Sequence, residues 1–214
     1  NYLKKFEEQY NNSGYTVNDS SGNSRHGEFT GSVKLVSGKV EQGFEFNGAG
    51  AIQIPQIVLR QSSQITYSFW TKFPSGGGGH VMGTGAQGGH GFGGINLMQS
   101  DGLSFTWTPL NPGTDTTIRS SGMTFLPDTW YHVAFSINYA STAYEMFVNG
   151  QRISTTISNS SIGSFYPVDT YNSGYNDYLG GRYVNQQYYY TGTLDDVKIF
   201  NTYISDPAVV KFIA

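Results

Sequence analysis

Short runs in which apolar and polar residues alternate recur along this chain, each closed by glycine, asparagine, serine or proline. A period of two sends successive side chains to opposite faces of an extended strand, so such runs build half-buried β-strands rather than amphipathic helices. Gly43–Asn47 sets Phe44 and Phe46 on one face, and Ile52 and Ile54 continue the pattern after a turn predicted at Gly48–Gly50. Ile65–Phe73 opposes Ile65, Tyr67 and Phe69 to Thr66, Ser68 and Trp70. Leu103, Phe105 and Trp107 share one face of a further strand, as do Tyr131, Val133, Phe135 and Ile137. Thr193–Phe200 reads as a strand with an imperfect alternation of Leu194, Val197 and Ile199. Many short strands between turn residues form the pattern of an all-β sandwich.

The composition agrees. The chain carries 16 Tyr, 14 Phe and 28 Gly in 214 residues. Aromatic side chains suit a pleated, half-buried surface, and glycine supplies the turns. The sharpest local signal is Tyr144–Ile153, where Asn149-Gly150 lies between two strand-like runs. Asn-Gly tolerates the positive φ angles of a type I′ turn, which predicts a β-hairpin. Ser205–Ala214 differs: Ser205 can cap a helix and Pro207 suits its first turn, which predicts a short C-terminal helix. The first residues are ambiguous, since Leu3, Phe6 and Tyr10 have helical spacing while Tyr2–Glu7 also fits a strand.

Length and charge narrow the function classes. A sandwich of this size commonly forms one domain, here residues 1–214, with enough chain to bury a core without staples. The net charge is −3 and no Lys/Arg cluster occurs. A nucleic-acid partner calls for a concentrated basic face, so none is expected. Cysteine is absent, which excludes disulfides, thiolate metal sites and cysteine catalysis. No run approaches the ~20 apolar residues of a membrane span, so no membrane insertion is expected, and no signal peptide is visible. The first residue is Asn1 rather than Met, which suggests a mature form or an excised domain. The glycine tract Gly76–Gly94 lies between strand-like runs and reads as a strand interrupted by loops rather than a domain boundary.

Several segments together resemble a known family, the laminin G-like, concanavalin A-like jelly rolls. Asn18–Gly27 (NDSSGNSRHG) resembles that family's opening turn, and Gly38–Asn47 (GKVEQGFEFN) the strand that follows. Asp128–Phe135 (DTWYHVAF) resembles its "GTWHHVA" strand, Phe147–Gly150 its "YVNG" hairpin, and Gly192–Asn201 (GTLDDVKIFN) its "G.IDDVRIYN" strand. The resemblance spans nearly the whole chain in the expected order. It implies a two-sheet antiparallel jelly-roll sandwich with a short C-terminal helix, and it favours an opening strand at Tyr2–Glu8. Gln9–Tyr15 and the Gly76–Gly94 tract depart from the family pattern.

A catalytic set is not visible. Glycosidases need two carboxyl groups across the scissile bond. The E-x-D-x-(x)-E strand of laminarinase-type jelly rolls is missing, and Glu145 is the only glutamate after Glu45. Asp195 and Asp196 are adjacent, and a strand would send them to opposite faces. Arg182, Gln186, Gln187 and Tyr190 supply the residue types of alginate-lyase jelly rolls without their spacing. His26, His80, His90 and His132 stand in unrelated contexts. His80 and His90 flank the glycine tract and are either exposed and inert or a metal pair, while His132 reads as a structural or outward-facing strand residue.

Calcium is the cofactor the resemblance brings into view. It implies that the N- and C-terminal strands run side by side, which would gather Asp19, Asn23, Asp195 and Asp196 around a structural calcium, an ion that takes six to eight oxygen ligands. The alternative is that Asp19 makes an Asx-turn and Asp196 caps backbone amides. For an organic ligand, Tyr166–Tyr190 is dense in Tyr, Asn, Gln and Asp. Aromatic faces and fixed amide, carboxylate and guanidinium groups suit sugars, which nominates Tyr171, Asn172, Tyr175, Asn176, Asp177, Tyr178, Arg182 and Tyr183. Tyrosine serves protein interfaces equally well. Tyr188–Tyr190 reads as a strand with alternate rings in the core. Trp107 ends its strand and is a candidate for a ligand groove, Trp130 is expected in the core, and the burial of Trp70 depends on which sheet face is covered.

The expectation is a non-catalytic carbohydrate-binding domain of an extracellular or surface-exposed protein, with a glycan or polysaccharide as partner. The alternatives are a structural or adhesion domain that binds another protein in its parent assembly, and a polysaccharide lyase or hydrolase.

Overall fold

The computed structural model describes residues 8–11, 14–55, 63–84, 93–98, 102–107, 116–158, 177–181 and 189–214. In chain order the strands are β1 (Glu8–Asn11), β2 (Gly14–Val17), β3 (Gly27–Ser37), β4 (Gln42–Ile54), β5 (Gln64–Lys72), β6 (Gly78–Thr84), β7 (Gly93–Met98) and β8 (Gly102–Trp107). They continue as β9 (Thr116–Ser120), β10 (Tyr131–Asn138), β11 (Ala143–Val148), β12 (Gln151–Arg152), β13 (Thr155–Ser158), β14 (Asp177–Leu179) and β15 (Thr191–Phe200), followed by helix α1 (Pro207–Ile213). Strand pairing is antiparallel throughout.

Two layers follow from the pairing. Sheet one runs β12-β11-β10-β5-β15-β4, and sheet two runs β4-β14-β6-β7-β8-β9-β13. Strands β1, β2 and β3 join through β4. The long strand β4 belongs to both layers: Phe44–Asn47 pair with β15 and Ile52–Ile54 pair with β14. Its bend is set by glycines. The β3–β4 register shifts between Gly31 and Val33, and Gly31 and Gly48 have φ of 73° and 80°. A methyl group on Gly31 would overlap the Ala49 carbonyl, and one on Gly50 would lie 2.5 Å from the Ser32 amide. The two backbones therefore cross at a separation only glycine allows. The turn expected at Gly48–Gly50 is thus a corner within one continuous strand, because pairing with β3 holds the chain extended on both sides.

The inner faces meet in the core. Phe44, Phe46, Ile52, Ile54, Ile65, Phe69, Tyr131, Val133, Phe135 and Ile137 are buried there, as their alternation predicts. Phe105 of sheet two stacks on Phe135 of sheet one with ring centroids 4.3 Å apart. This is the jelly-roll sandwich expected from the chain.

The outer face of sheet one is also covered, by the C-terminal segment. The Ile204 amide donates to Ser136 Oγ at 2.8 Å, and Thr66 Oγ1 donates to the Thr202 carbonyl at 2.6 Å. Val210 of α1 packs with Ala134 and Phe147. This explains why Thr66 and Ser68 are as buried as Phe69 on the other side of β5. The helix cap lies one residue later than expected: Asp206 Oδ1 accepts from the Ala208 amide at 2.8 Å, with Pro207 in the first turn. The Ser205 carbonyl instead accepts from Arg152 Nη2 at 2.7 Å, which fixes that residue to the hairpin.

The β11–β12 hairpin forms as read, with Asn149 and Gly150 at φ 50° and 70°. Asn149 Oδ1 also accepts from the His132 amide at 2.9 Å. Trp130 is only half-buried, just before β10, with Lys72 Nζ 5.2 Å from its ring centre, so it lies outside the core where it was expected. Trp70, on the covered face, is half-buried under Lys39. Tyr189 and Tyr190 precede β15 rather than lying in a strand. Tyr190 still fills the core, edge-on to Phe46, with its hydroxyl bonded to Thr71 Oγ1, and burial pushes its phenol far up. Within the glycine tract, Gly78–Thr84 and Gly93–Gly94 are strand, and residues 85–92, including His90, lie outside the described residues. Tyr2–Glu7 and Tyr188 also lie outside them, while Glu8 opens β1.

Candidate ligand-binding face

Alternation assigns the two faces of sheet two. Ile52, Ile54, Ile95, Leu97, Leu103, Phe105 and Ile118 are at most 4% exposed and face the core. The residues between them project from the outer face. Opposed residues of neighbouring strands share a face, so register assembles them into rows. One row is Glu28, Gln53, Tyr178, Gly83, Gly94, Thr106, Thr117 and Ser158. The next is His80, Asn96, Ser104, Arg119 and Thr156. Neither row contains a large aliphatic residue.

This face is rich in hydrogen-bonding groups held on rigid strands. Thr106 Oγ1 and Thr117 Oγ1 are 3.2 Å apart, and the Thr117 amide donates to Ser158 Oγ at 3.2 Å. Tyr178 donates to Gln53 Oε1 at 3.4 Å, and burial, with Tyr189 and Asp177 nearby, raises its phenol pKa. Asn96 Oδ1 is buried with no hydrogen-bond partner among the described residues. A buried acceptor left without a donor costs about 1–3 kcal/mol, so this one is a cost to the fold rather than a contribution to it. Glu28 and Arg119 are the charged members of the two rows. Six strand steps at ~4.8 Å set them about 29 Å apart along the sheet, well beyond a Debye length of ~8 Å.

The ligand residues nominated from the sequence divide into two groups. Tyr171, Asn172, Tyr175, Asn176, Arg182 and Tyr183 lie outside the described residues, as does the Trp107 side chain, although the Trp107 backbone ends β8 opposite Thr116. Asp177 and Tyr178 lie in β14, between β4 and β6, and not in a loop. They are 5% and 3% exposed. The loop assignment is corrected for these two: double pairing, not their polar composition, decides their conformation. Tyr178 faces the outer row, while Asp177 shares a face with Ile54.

The calcium residues are not brought together. Asp19 stands before the start of β3, and Asp195 lies against its far end at Gly38 and Val40. Eleven strand residues at ~3.3 Å each put roughly 35 Å between those ends. Asp19 forms the Asx-turn: it accepts from the Ser21 amide and hydroxyl at 2.8 and 2.9 Å and from the Arg25 amide at 2.9 Å. Burial alone would raise its pKa, but these bonds hold it below the usual value. Asn23 Nδ2 donates to Ser21 Oγ. Asp195 Oδ2 accepts from the Val40 amide at 2.6 Å, and burial raises its pKa against the pull of the Val40, Asp196 and Lys39 amides. Asp196, at a bulge with φ 49°, pairs with Lys198 Nζ at 2.5 Å rather than capping amides. These four residues do not fit one calcium cage, and no metal-competent group of three or more His, Cys, Asp or Glu occurs among the described residues.

His132 is buried rather than outward-facing. Its Nε2 lies 2.8 Å from Ser68 Oγ and its ring 5.4 Å from Trp70. Burial first, then the Lys198 charge, lowers its pKa to about 4. His80, by contrast, belongs to the outer row of sheet two. Asn96, Ser104, Thr106, Thr117 and Arg119 escaped the sequence reading. Their only local signal is that each interrupts core residues in a strand, a signal every outward strand residue shares.

No curated protein matches the sequence. Among solved structures, domain 4 of AbnA, an extracellular arabinanase from Geobacillus stearothermophilus in complex with arabinotriose, is 19% identical over 92% of this chain and 91% of that one, with a TM-score of 0.66. The Ruminococcus gnavus sialidase CBM40 bound to α2,3 sialyllactose is 17% identical over 73% and 85%, with a TM-score of 0.57. The binding domain of botulinum neurotoxin DC in complex with rat synaptotagmin II is 16% identical over 99% of this chain, with a TM-score of 0.64. The chain spans about half of that neurotoxin domain, 51%. At these identities the likeness is one of fold. No described helix is long and apolar enough to cross a membrane. A family model matches residues 46–210, and the chain belongs to the concanavalin A-like lectin/glucanases superfamily.

Proposed function

We propose that this is a non-catalytic, lectin-like carbohydrate-binding domain of an extracellular or surface protein. The observation that carries the reading is the outer face of sheet two, where Gln53, Asn96, Thr106, Arg119, Thr156 and Ser158, exposed or half-buried, are set in register. A sugar presents many hydroxyl donors to such a face. Tyr171, Asn172, Tyr175, Asn176, Arg182 and Tyr183 flank β14 of this sheet in the chain and, with Trp107 at the end of β8, remain the proposed aromatic and polar contacts. Five of the described carboxylates support binding over catalysis. Asp19, Glu145, Asp195, Asp196 and Asp206 are each engaged by a protein donor rather than set across a cleft as an acid–base pair. The arabinotriose and sialyllactose complexes of fold neighbours support the same reading.

A second reading, docking of another protein, is favoured by the outward side of α1, where Phe212 is 90% and Val209 42% exposed. A glycan array probed with the folded protein in calcium-containing buffer separates the two, with turnover assays on alginate and glucans alongside. Reproducible binding to one sugar class without turnover is expected. Turnover would establish an enzyme, and a blank array would favour the protein-docking surface.

A further inference from the structure

We infer that the sheet-two face selects a carboxylated sugar, with Arg119 anchoring the carboxylate. The inference deepens the carbohydrate-binding reading and rests on it.

Position is the first ground. Arg119 lies in β9, hydrogen-bonded on both sides to β8 and β13, so its side chain leaves the middle of a paired region and not a sheet edge. Directly opposite stand Ser104 and Thr156, and Asn96 lies one strand further on in the same row. Strand spacing puts Asn96 and Arg119 about 10 Å apart, two strand steps, with the buried Ser104 between them.

Charge is the second ground. The other cations with described contacts are engaged: Arg152 pairs with Glu145 at 3.0 Å, Lys198 with Asp196 at 2.5 Å, and Lys39 and Lys72 lie over Trp70 and Trp130. Arg119 is exposed and has no such partner among the described residues. No described residue of its row is acidic, and Glu28 is too distant to neutralise it. A guanidinium presents a planar fork of donors that matches a carboxylate in a bidentate pair, and this pair is stronger than hydrogen bonds to neutral hydroxyls. The row thus offers an exposed cationic fork flanked by the exposed Thr156, with the half-buried Asn96 two strands away. An acidic sugar carries both complements, a carboxylate and hydroxyl donors on one ring. A neutral sugar satisfies only the second.

Matched pairs of ligands test this by calorimetric titration: 3′-sialyllactose against lactose, and oligogalacturonate against its carboxyl-reduced form. The protein with Arg119 intact is expected to bind the acidic member of at least one pair about tenfold or more tightly. Arg119→Gln is expected to bring the acidic ligand to the level of its neutral partner, with the thermal melt unchanged. Arg119→Lys, which keeps the charge without the fork, is expected to recover only part of the preference. Equal affinity within both pairs overturns the inference and leaves the carbohydrate-binding reading standing. A preference that survives Arg119→Gln overturns the role of Arg119. Binding of none of the four overturns the carboxylate inference, and the glycan array then decides the carbohydrate-binding reading by itself.

Discussion

At Gly150 two demands meet in one residue. Its φ of 70° suits glycine, and a methyl group there would overlap Lys211 Cγ of α1. Gly150→Ala is therefore expected to cost about 1 kcal/mol or more, read as a lowered thermal midpoint. His132 makes a second residue-scale prediction. Its folded pKa, about 4, lies below the usual 6.5, so the unfolded chain takes up the proton first. Stability from this group is complete above pH ~6.5 and is lost as pH falls towards 4, by roughly 3 kcal/mol at about 1.4 kcal/mol per pKa unit. Urea titrations between pH 7 and 4 should show this fall, and His132→Gln should flatten it. Asp19 acts at lower pH and by a different route, through the hydrogen bonds of its own turn. Asp19→Asn is expected to lower the melting temperature equally in calcium and in chelator; a loss confined to calcium would restore that residue as a ligand.

Elements differ in how far local chemistry determines them. The β11–β12 hairpin was legible because Asn149-Gly150 dictates the turn whatever surrounds it. The C-terminal helix was legible from Pro207, although its cap fell on Asp206 because Arg152 holds the Ser205 carbonyl. Seven residues are too few for a stable isolated helix, so the seat of Val210 on Ala134 and Phe147 maintains α1. The β3–β4 corner was not legible. Gly48–Gly50 looks like any glycine turn until Ser32 and Gly31 are seen against it, a contact between separate strands that no local pattern encodes. Gly31→Ala combines a positive φ with overlap of the Ala49 carbonyl and is expected to destabilise by about 3 kcal/mol or more, enough to reduce soluble yield.

Across the whole molecule, burial of one face of each strand leaves the other to be disposed of, and the two sheets do this differently. Sheet one hides its polar outer face beneath the C-terminal segment, where Thr66 and Ser136 meet backbone partners. Sheet two sets its outer face in polar rows, with Tyr178, Ser104 and Thr117 buried, Arg119, Thr156 and Ser158 exposed, and Asn96 Oδ1 without a partner among the described residues. The sandwich could be read in advance because alternation is a property of each strand alone. The face could not, since Asn96, Ser104 and Arg119 become neighbours only through the register of three strands. Asp177 and Tyr178 show the converse: tyrosine- and asparagine-rich surroundings suggested a loop, and pairing with β4 and β6 made a strand. We propose that this face is built for a ligand and not for stability. Asn96→Ala tests it most directly, with thermal melting and titration of the array's best-binding glycan on the same sample. An oxygen without a partner contributes nothing to folding, so the melting temperature should hold or rise while glycan affinity falls about tenfold. A lower melting temperature with unchanged affinity would contradict the claim.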